Sequence, residues 1–503
     1  PQPSRRPAQR HICRLHDSKS VYASQTGQTC QVIQALQPQG NALYSMNQKT
    51  NSRNNLVEGS IRQSLIQMTL PMIVGMFMLF TFSLVDTWFI SFLGTDSLTA
   101  ISFTFPVTFT VTSLAIGLGI GAAAVVGRCL GSSAFDDAKQ AATVINYLSF
   151  GLAAMLATCL WWFMEPIFGL MGAGPALFSA ISAYMNVWFP GSVLVVCIMS
   201  GNSVLRACGD TKTPSILMAA AGLLNAVLDP FLIFGMGPFP ELGIAGAAWA
   251  TVIAWSVGFV YLFHLLVIKR ELVYASLPSI EAFRQSGRDM LRIGIPAAGA
   301  NMMTPLASGV MTAIAAGFGG NAVAAYGVGA RLEPMATLLV LAMSSSLPPL
   351  ISQNYGAGRL DRVREAYDLA IRFIGFWQLG VYLLLAFTAP LLASFFSQDD
   401  EVTRAISLFL WILPLGYGLQ GVIILTNSSL NALHKPASAL YLSVARFFVF
   451  YVPLAWAGSL YFGLEGFFAG AVCGNLMMAA ISWRTFNRAL ATEQRLQEAS
   501  SLA

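Results

Sequence analysis

Apolar runs of roughly twenty residues recur from Leu65 to Trp483, each closed by a short polar stretch. A helix needs about 20 apolar residues to cross the hydrocarbon core of a bilayer. The pattern therefore predicts an all-α membrane protein with about twelve transmembrane helices. Their expected limits are 65–93, 99–127, 142–164, 181–206, 214–235, 243–267, 291–318, 322–351, 367–392, 403–430, 437–459 and 463–485. Gly and Pro inside these runs point to kinked, packed helices, because neighbouring helices can satisfy the freed backbone groups. Residues 1–60 carry no apolar period and no h-region, so they do not read as a signal peptide. They are expected to be a disordered basic tail, or an artefactual upstream extension ahead of a true start at Met46.

The last six runs repeat the first six. A shift of 225 residues pairs Pro71 with Pro296, Val85 with Val310, Thr87 with Thr312, Gly94 with Gly319, Ala100 with Ala325, Gly131 with Gly356, Ala141 with Ala366 and Leu205 with Leu430. Slightly smaller shifts pair Pro230 with Pro453, Gly243 with Gly463 and Gly246 with Gly466. Six spans per half is an even number, so the halves share one orientation and should be related by an axis along the membrane normal. The expected layout is two pseudo-symmetric six-helix lobes, 61–267 and 291–485, with a cytoplasmic tail at 486–503. The basic stretch 268–290 between the lobes reads as an interfacial helix.

Composition sharpens this picture. Of 503 residues, 55% are hydrophobic and only 10% charged, against about 25% charged in soluble domains. The net charge of +5 matters less than its placement. One set of loops holds Arg128, Lys139, Arg206, Lys212, Lys269, Arg270, Arg284, Arg288, Arg292, Arg359, Arg362, Arg364, Lys435, Arg484 and Arg488, and the other offers little more than Arg404. The positive-inside rule then puts both termini in the cytoplasm. Seven scattered cysteines without a CxxC motif indicate neither a disulfide framework nor a zinc site.

Two acids stand where insertion costs about 2.5–3.5 kcal/mol: Asp86 in the first run and Asp229 in the fifth. Such residues are tolerated mainly where they face a cavity or bind an ion, and burial favours the protonated form, which suits proton loading. Asn225 lies four residues before Asp229, hence on the same helix face. Pro230 leaves the Ala226 carbonyl without its helical donor. Together with the Thr251 hydroxyl of the next run, these groups make a hard-oxygen set suited to Na⁺ or to a protonatable network. The alternative is that these residues merely join helices, a lesser reading for Asp229 and an equally weighted one for Asn225 and Thr251. At the 225 shift Asp86 meets Met311 and Asp229 meets Val452, while Glu333, Asp399, Asp400, Glu401 and Glu465 are placed near span ends. Ion handling is thus expected in the first lobe alone. Arg446 is the one deeply embedded base, and Met302, Met303, Met311 and Tyr326 are candidates for an adaptable cavity lining, with core packing the heavier reading. No phosphate loop, HExxH or GxSxG occurs, so neither direct ATP use nor an enzyme is indicated, and nothing supports nucleic-acid binding.

In combination LVDTWFISFLG (84–94), LRACGDTKTP (205–214), NAVLDPFLIFG (225–235), LGIAGAAWAT (242–251) and SQNYGAG (352–358) resemble the multidrug and toxic compound extrusion (MATE) family. The resemblance covers 60–490. It implies twelve helices around a V-shaped cavity and export of cationic organic compounds driven by H⁺ or Na⁺ entry, without a cofactor. The DNA-damage-inducible branch is the most similar. There acids of helices one and six form the coupling site, so Asp86, Asn225, Asp229 and Thr251 carry over. A second branch places acids in helices seven and ten, and neither run has one here. The implied setting is a bacterial inner membrane, with a monomer in contact with lipid and small organic cations. A lipid-linked saccharide flippase is the alternative, though its anionic pyrophosphate would call for several Arg or Lys.

Overall fold

The computed structural model describes residues 56–276 and 278–502; the expectations for residues 1–55 lie outside them. Residues 56–60, assigned to the polar extension, are anchored. Leu56 is buried, and its carbonyl accepts hydrogen bonds from Asn354 (3.0 Å) and Arg362 (3.4 Å).

The first lobe is built from α1 (Ile61–Ser91), α2 (Thr95–Gly131), α3 (Phe135–Trp162), a short helix Met164–Leu170, α4 (Pro175–Ala207), α5 (Lys212–Phe234) and α6 (Ile244–His264), the last prolonged by a π turn, Leu265–Lys269. The second contains α7 (Ile280–Ala316), α8 (Gly320–Ala336), α9 (Leu338–Gly356), α10 (Leu360–Phe396), α11 (Asp400–Ile412), α12 (Tyr417–Ala432), α13 (Pro436–Ala445) and α14 (Val452–Leu502). Nine described helical stretches are long and apolar enough to span a bilayer, or ten with α8 and α9 taken as one span bent by 44°. The stretch Pro436–Ser500 holds two spans, because its helix breaks at Phe462 and Gly463, where Gly463 takes φ 61°. α7 is also long enough to span, its apolar part diluted by Asn301, Pro296, Pro305 and small residues, and with it the spans among the described residues number twelve.

The duplication is present in the backbone. Gly94 caps α2 with φ 97° and ψ 175°, and Gly319 caps α8 with φ 95° and ψ 176°. Ala134 before α3 and Arg359 before α10 share φ near −90° and ψ near 70°. A side-chain-free glycine at φ near +95° is a demand that only a few positions make, so its recurrence at one shift reflects a repeated turn.

Two expectations change. Residues 280–290 are the first turns of α7, capped by the Ser279 hydroxyl on the Ala282 amide, and not a separate interfacial helix. A basic amphipathic stretch reads the same whether it lies on the surface or extends a span beyond the bilayer. The tail at 486–500 continues α14 and is tied down: Glu493 pairs with Lys435 at 2.9 Å and accepts from Tyr355 at 3.0 Å, while Gln497 donates to the Gly358 carbonyl at 2.9 Å.

Among the described residues, the side-chain hydrogen bonds joining the lobes lie in the half that carries the basic loops. Thr69 meets Ser346 at 2.7 Å, Gln353 donates to the Ala207 carbonyl at 2.6 Å, and Ser352 reaches the Ala123 carbonyl at 3.5 Å. At the centre of this seal Gly131 lies against the Gln353 backbone and Gly356 against the Arg128 backbone. These two contacts exchange under the 225-residue shift, so the seal sits on the pseudo-two-fold axis and is self-complementary in the manner of an isologous interface.

His434 marks where the symmetry is broken. Its counterpart Gly209 turns with φ 82°, and His434 keeps the turn at φ 57°. The added imidazole reaches across to the Ala124 carbonyl of α2 at 3.3 Å. Burial, then the nearby Arg128, push its pKa down to about 4, with Arg292 acting in the same sense and Asp289 and the Ala124 carbonyl opposing. The folded protein thus takes up this proton less readily than the unfolded chain. The stabilisation is complete above the ordinary value of about 6.5 and is lost as pH falls towards 4. Lowering the pH from 7.5 to 5 is expected to cost of the order of 1–2 kcal/mol through this residue. Thermal unfolding of purified protein should show a larger acid-induced drop in Tm for wild type than for His434→Gln, and equal drops would refute the assignment.

Candidate functional site

The site begins with how α1 meets α5. Gly75 lies against Ser215, and seven residues on, Phe82 lies against Gly222. Near the far end Phe89 packs edge-on to Phe234, with ring centroids 6.3 Å apart. The helices therefore run side by side in the same direction. That register brings Asp86 level with the turn of α5 that holds Asn225, Ala226 and Asp229. The α5–α6 corner does the rest. Gly235 ends α5 in the left-handed region at φ 69°, and Gly246 lets α6 approach the Leu232 carbonyl. Leu242 and Gly243 amides cap the Leu232 and Ile233 carbonyls at 3.1 Å each. Thr251, nearly two turns into α6, then faces Asn225.

The structure brings all four expected residues together. The Asn225 amide donates to Thr251 Oγ1 at 3.2 Å and lies 3.4 Å from Asp229 Oδ1. Asp229 is 0% exposed. Its Oδ2, and Oδ1 of Asp86, are buried without a hydrogen-bond partner. The two carboxylates are close enough for the charge of one to act on the other, and neither ion pair among the described residues involves them. Two acids within electrostatic reach of each other, with no basic partner and two idle oxygens, make an arrangement that a proton or a small cation could relieve. The oxygens of Asp86, Asp229 and Thr251 with the freed Ala226 carbonyl match the hard-oxygen donors that Na⁺ takes. Asp229 is on the fifth span, not the sixth; only Thr251 comes from the sixth.

Tyr184 of α4 was not singled out from sequence. It is buried within electrostatic reach of both acids, and one tyrosine among the aromatics of its run carries no signal of its own. Met311 is fully buried and Tyr326 is 8% exposed; both belong to the apolar core of the second lobe, with Met303 packed at its edge. Core packing accounts for these three, while Met302 is half-buried.

Two residues correct the reading of the second lobe. Glu333 is not near a span end: it sits in the last turn of α8, beside Pro334 and the 44° bend, with Gln420 of α12 donating to it at 2.7 Å. Arg331, two residues earlier and exposed, also lies mid-span, so Arg446 is not the lone base at depth.

A family profile described as MatE matches the chain twice, over residues 71–231 and 296–457, and the two matches begin 225 residues apart. The chain belongs to the MATE family. It is a multi-pass membrane transporter rather than an enzyme. The "FAD transporter" of Shewanella oneidensis is 41% identical over 426 residues, covering 85% of this chain and 94% of that protein. The "Probable multidrug resistance protein YpnP" of Bacillus subtilis is 27% identical, covering 82% of this chain and 92% of that one. The "Multidrug export protein MepA" of Staphylococcus aureus is 25% identical, covering 80% and 88%. Among solved structures, the Vibrio cholerae MATE transporter VcmN in its bent form superposes with a TM-score of 0.82 at 35% identity, covering 86% of this chain and 98% of that one. An outward-facing multidrug resistance MATE transporter gives 0.82 at 25% identity, covering 88% and 98%.

Proposed function

We propose that this MATE transporter is a secondary active exporter in which H⁺ or Na⁺ entering at Asp86, Asp229, Asn225 and Thr251 drives the release of an amphipathic organic molecule. The observation that carries this reading is the pair of buried, partnerless carboxylate oxygens, Asp86 Oδ1 and Asp229 Oδ2, on adjacent helices. Loading either acid removes the repulsion between them, and α5 can respond at Pro230, where Ala226 lacks its helical donor. The membrane potential contributes about 2.3 kcal/mol per charge per 100 mV, enough to bias such a change. With the basic loops in the cytoplasm of a bacterial inner membrane, the sealed end faces inward, and unloading there would let the lobes part.

Two substrate classes have support. Cationic amphipaths fit the acidic first lobe and the multidrug relatives at 25–27% identity. A flavin dinucleotide is favoured by the 41% identical relative and by the buried guanidinium of Arg446 in the second lobe. Purified protein in proteoliposomes, loaded with ethidium or with FAD, should move its substrate under an imposed pH or Na⁺ gradient and not without one. Equal fluxes with and without both gradients would remove the coupling. The ion that works names the driver, and the probe that moves names the class.

A further inference from the structure

The second lobe holds a buried base for which ion coupling has no use. Arg446 is 7% exposed and opens a π-helical turn, Arg446–Tyr451, that leads to Val452 and Pro453. This is the helix equivalent to α5. Where the first lobe sets an acid directly before its proline, the second sets Val452, and places a guanidinium seven residues before Pro453. Turns of π-helix inside α-helices occur frequently at functional sites.

The guanidinium is only partly occupied. Its Nε donates to Asn475 Oδ1 of α14 at 3.1 Å, and its carbon lies 4.7 Å from the Phe447 ring centroid and 5.9 Å from that of Tyr451. That bond uses one of five N–H donors. Neither ion pair among the described residues includes it. Glu333 acts on it electrostatically but is held by Gln420. Tyr326, Tyr417 and Tyr451 lie within electrostatic reach of the same acid. A buried charge without a bonded counter-ion is expensive, and an intramembrane base kept in that state marks a ligand path. Guanidinium geometry matches phosphate through two parallel N–H donors.

We infer that Arg446 receives a phosphate-bearing anionic group of the exported molecule, with Asn475 fixing the fork and Glu333 balancing the charge when the site is empty. The inference rests on the flavin-dinucleotide reading of the substrate. The same chemistry could come from a phospholipid headgroup, so the test separates the two sources.

Full-length protein in phosphatidylcholine nanodiscs is titrated calorimetrically with FAD, with riboflavin, which shares the ring system but lacks phosphate, and with ADP. Wild type is expected to bind FAD, with ADP competing. Arg446→Gln should weaken FAD at least tenfold and change riboflavin less than twofold, which also shows that the variant is folded. Arg446→Lys should retain part of the FAD affinity, and Glu333→Gln should tighten it severalfold. Unchanged FAD affinity in Arg446→Gln overturns the inference while leaving FAD as substrate. Equal loss of FAD and riboflavin, not restored by lysine, assigns Arg446 a structural role and overturns it too. If wild type ignores FAD but binds ADP, or phosphatidate added to the nanodisc, in an Arg446-dependent way, the anion site stands and the flavin reading falls. Binding of none of these probes overturns both.

Discussion

Asp229→Asn is expected to reduce gradient-driven efflux at least tenfold, to the level of passive leak, while the protein stays folded. The amide keeps the shape of the carboxylate, and the bond it disturbs is a long one, 3.4 Å from Asn225. Removing an uncompensated charge from a fully buried position lowers a desolvation cost, so Tm should be unchanged or raised by a few degrees. What is lost is the ability to take up and give back a proton, or to hold Na⁺ with a full negative charge. Asp86→Asn should behave alike, and the double variant should be no worse than either single one, because residues that act as a unit are not additive. Dye or FAD efflux from proteoliposomes reads all three. Wild-type flux in both single variants would show that the cluster is a structural network between α1, α5 and α6.

The second large effect concerns the seal. Gly356→Val is expected to cut transport at least tenfold and to leave the basic-loop end open. A Cβ at Gly356 would run into the Arg128 backbone, and one at Gly131 into the Gln353 backbone. Neither obstacle is a flexible side-chain end, so the lobes must separate to admit the added atoms, and overpacking of this kind costs about 1–3 kcal/mol or more. Cys129, half-buried beside Arg128, supplies the readout in a variant whose other cysteines are serine. A membrane-impermeant maleimide applied from the basic side should label it severalfold faster in Gly356→Val than in the parent. Gly131→Val should do the same, since the two contacts are pseudo-symmetric equivalents. Unaltered labelling with lost transport would place the defect elsewhere.

The duplication and the two acids were legible because each breaks a strong local rule. Glycines and prolines at one constant spacing are costly in helices, and aspartate is costly in a bilayer, so both stand out against an apolar background. The partners of those acids were readable only in part. Asn225 and Thr251 are rare polar residues in their runs, whereas Tyr184 is one aromatic among many. Glu333 was grouped with the acids of span ends although it falls inside the expected span 322–351; in the fold it marks, with Pro334, a bend beyond which α9 continues. Register decided the rest. That Asp86 stands level with Asp229 follows from Gly75 meeting Ser215 and Gly222 meeting Phe82, pairings that no spacing along the chain announces. The seal was half visible: Gly131 and Gly356 align, but only the folded lobes show that each touches the other lobe's backbone.

The last helix has a practical use. From Gly463 to Leu502 at about 1.5 Å per residue it runs roughly 60 Å, about twice the ~30 Å hydrocarbon core. Its outer turns are clamped by Lys435, Tyr355 and the Gly358 carbonyl. A helical partner fused in register after Leu502 would inherit that rigidity and turn with the second lobe as one body. Such a fusion would give electron microscopy an asymmetric landmark on a molecule otherwise hidden in its detergent belt, and would give energy-transfer measurements a lever that magnifies small lobe rotations.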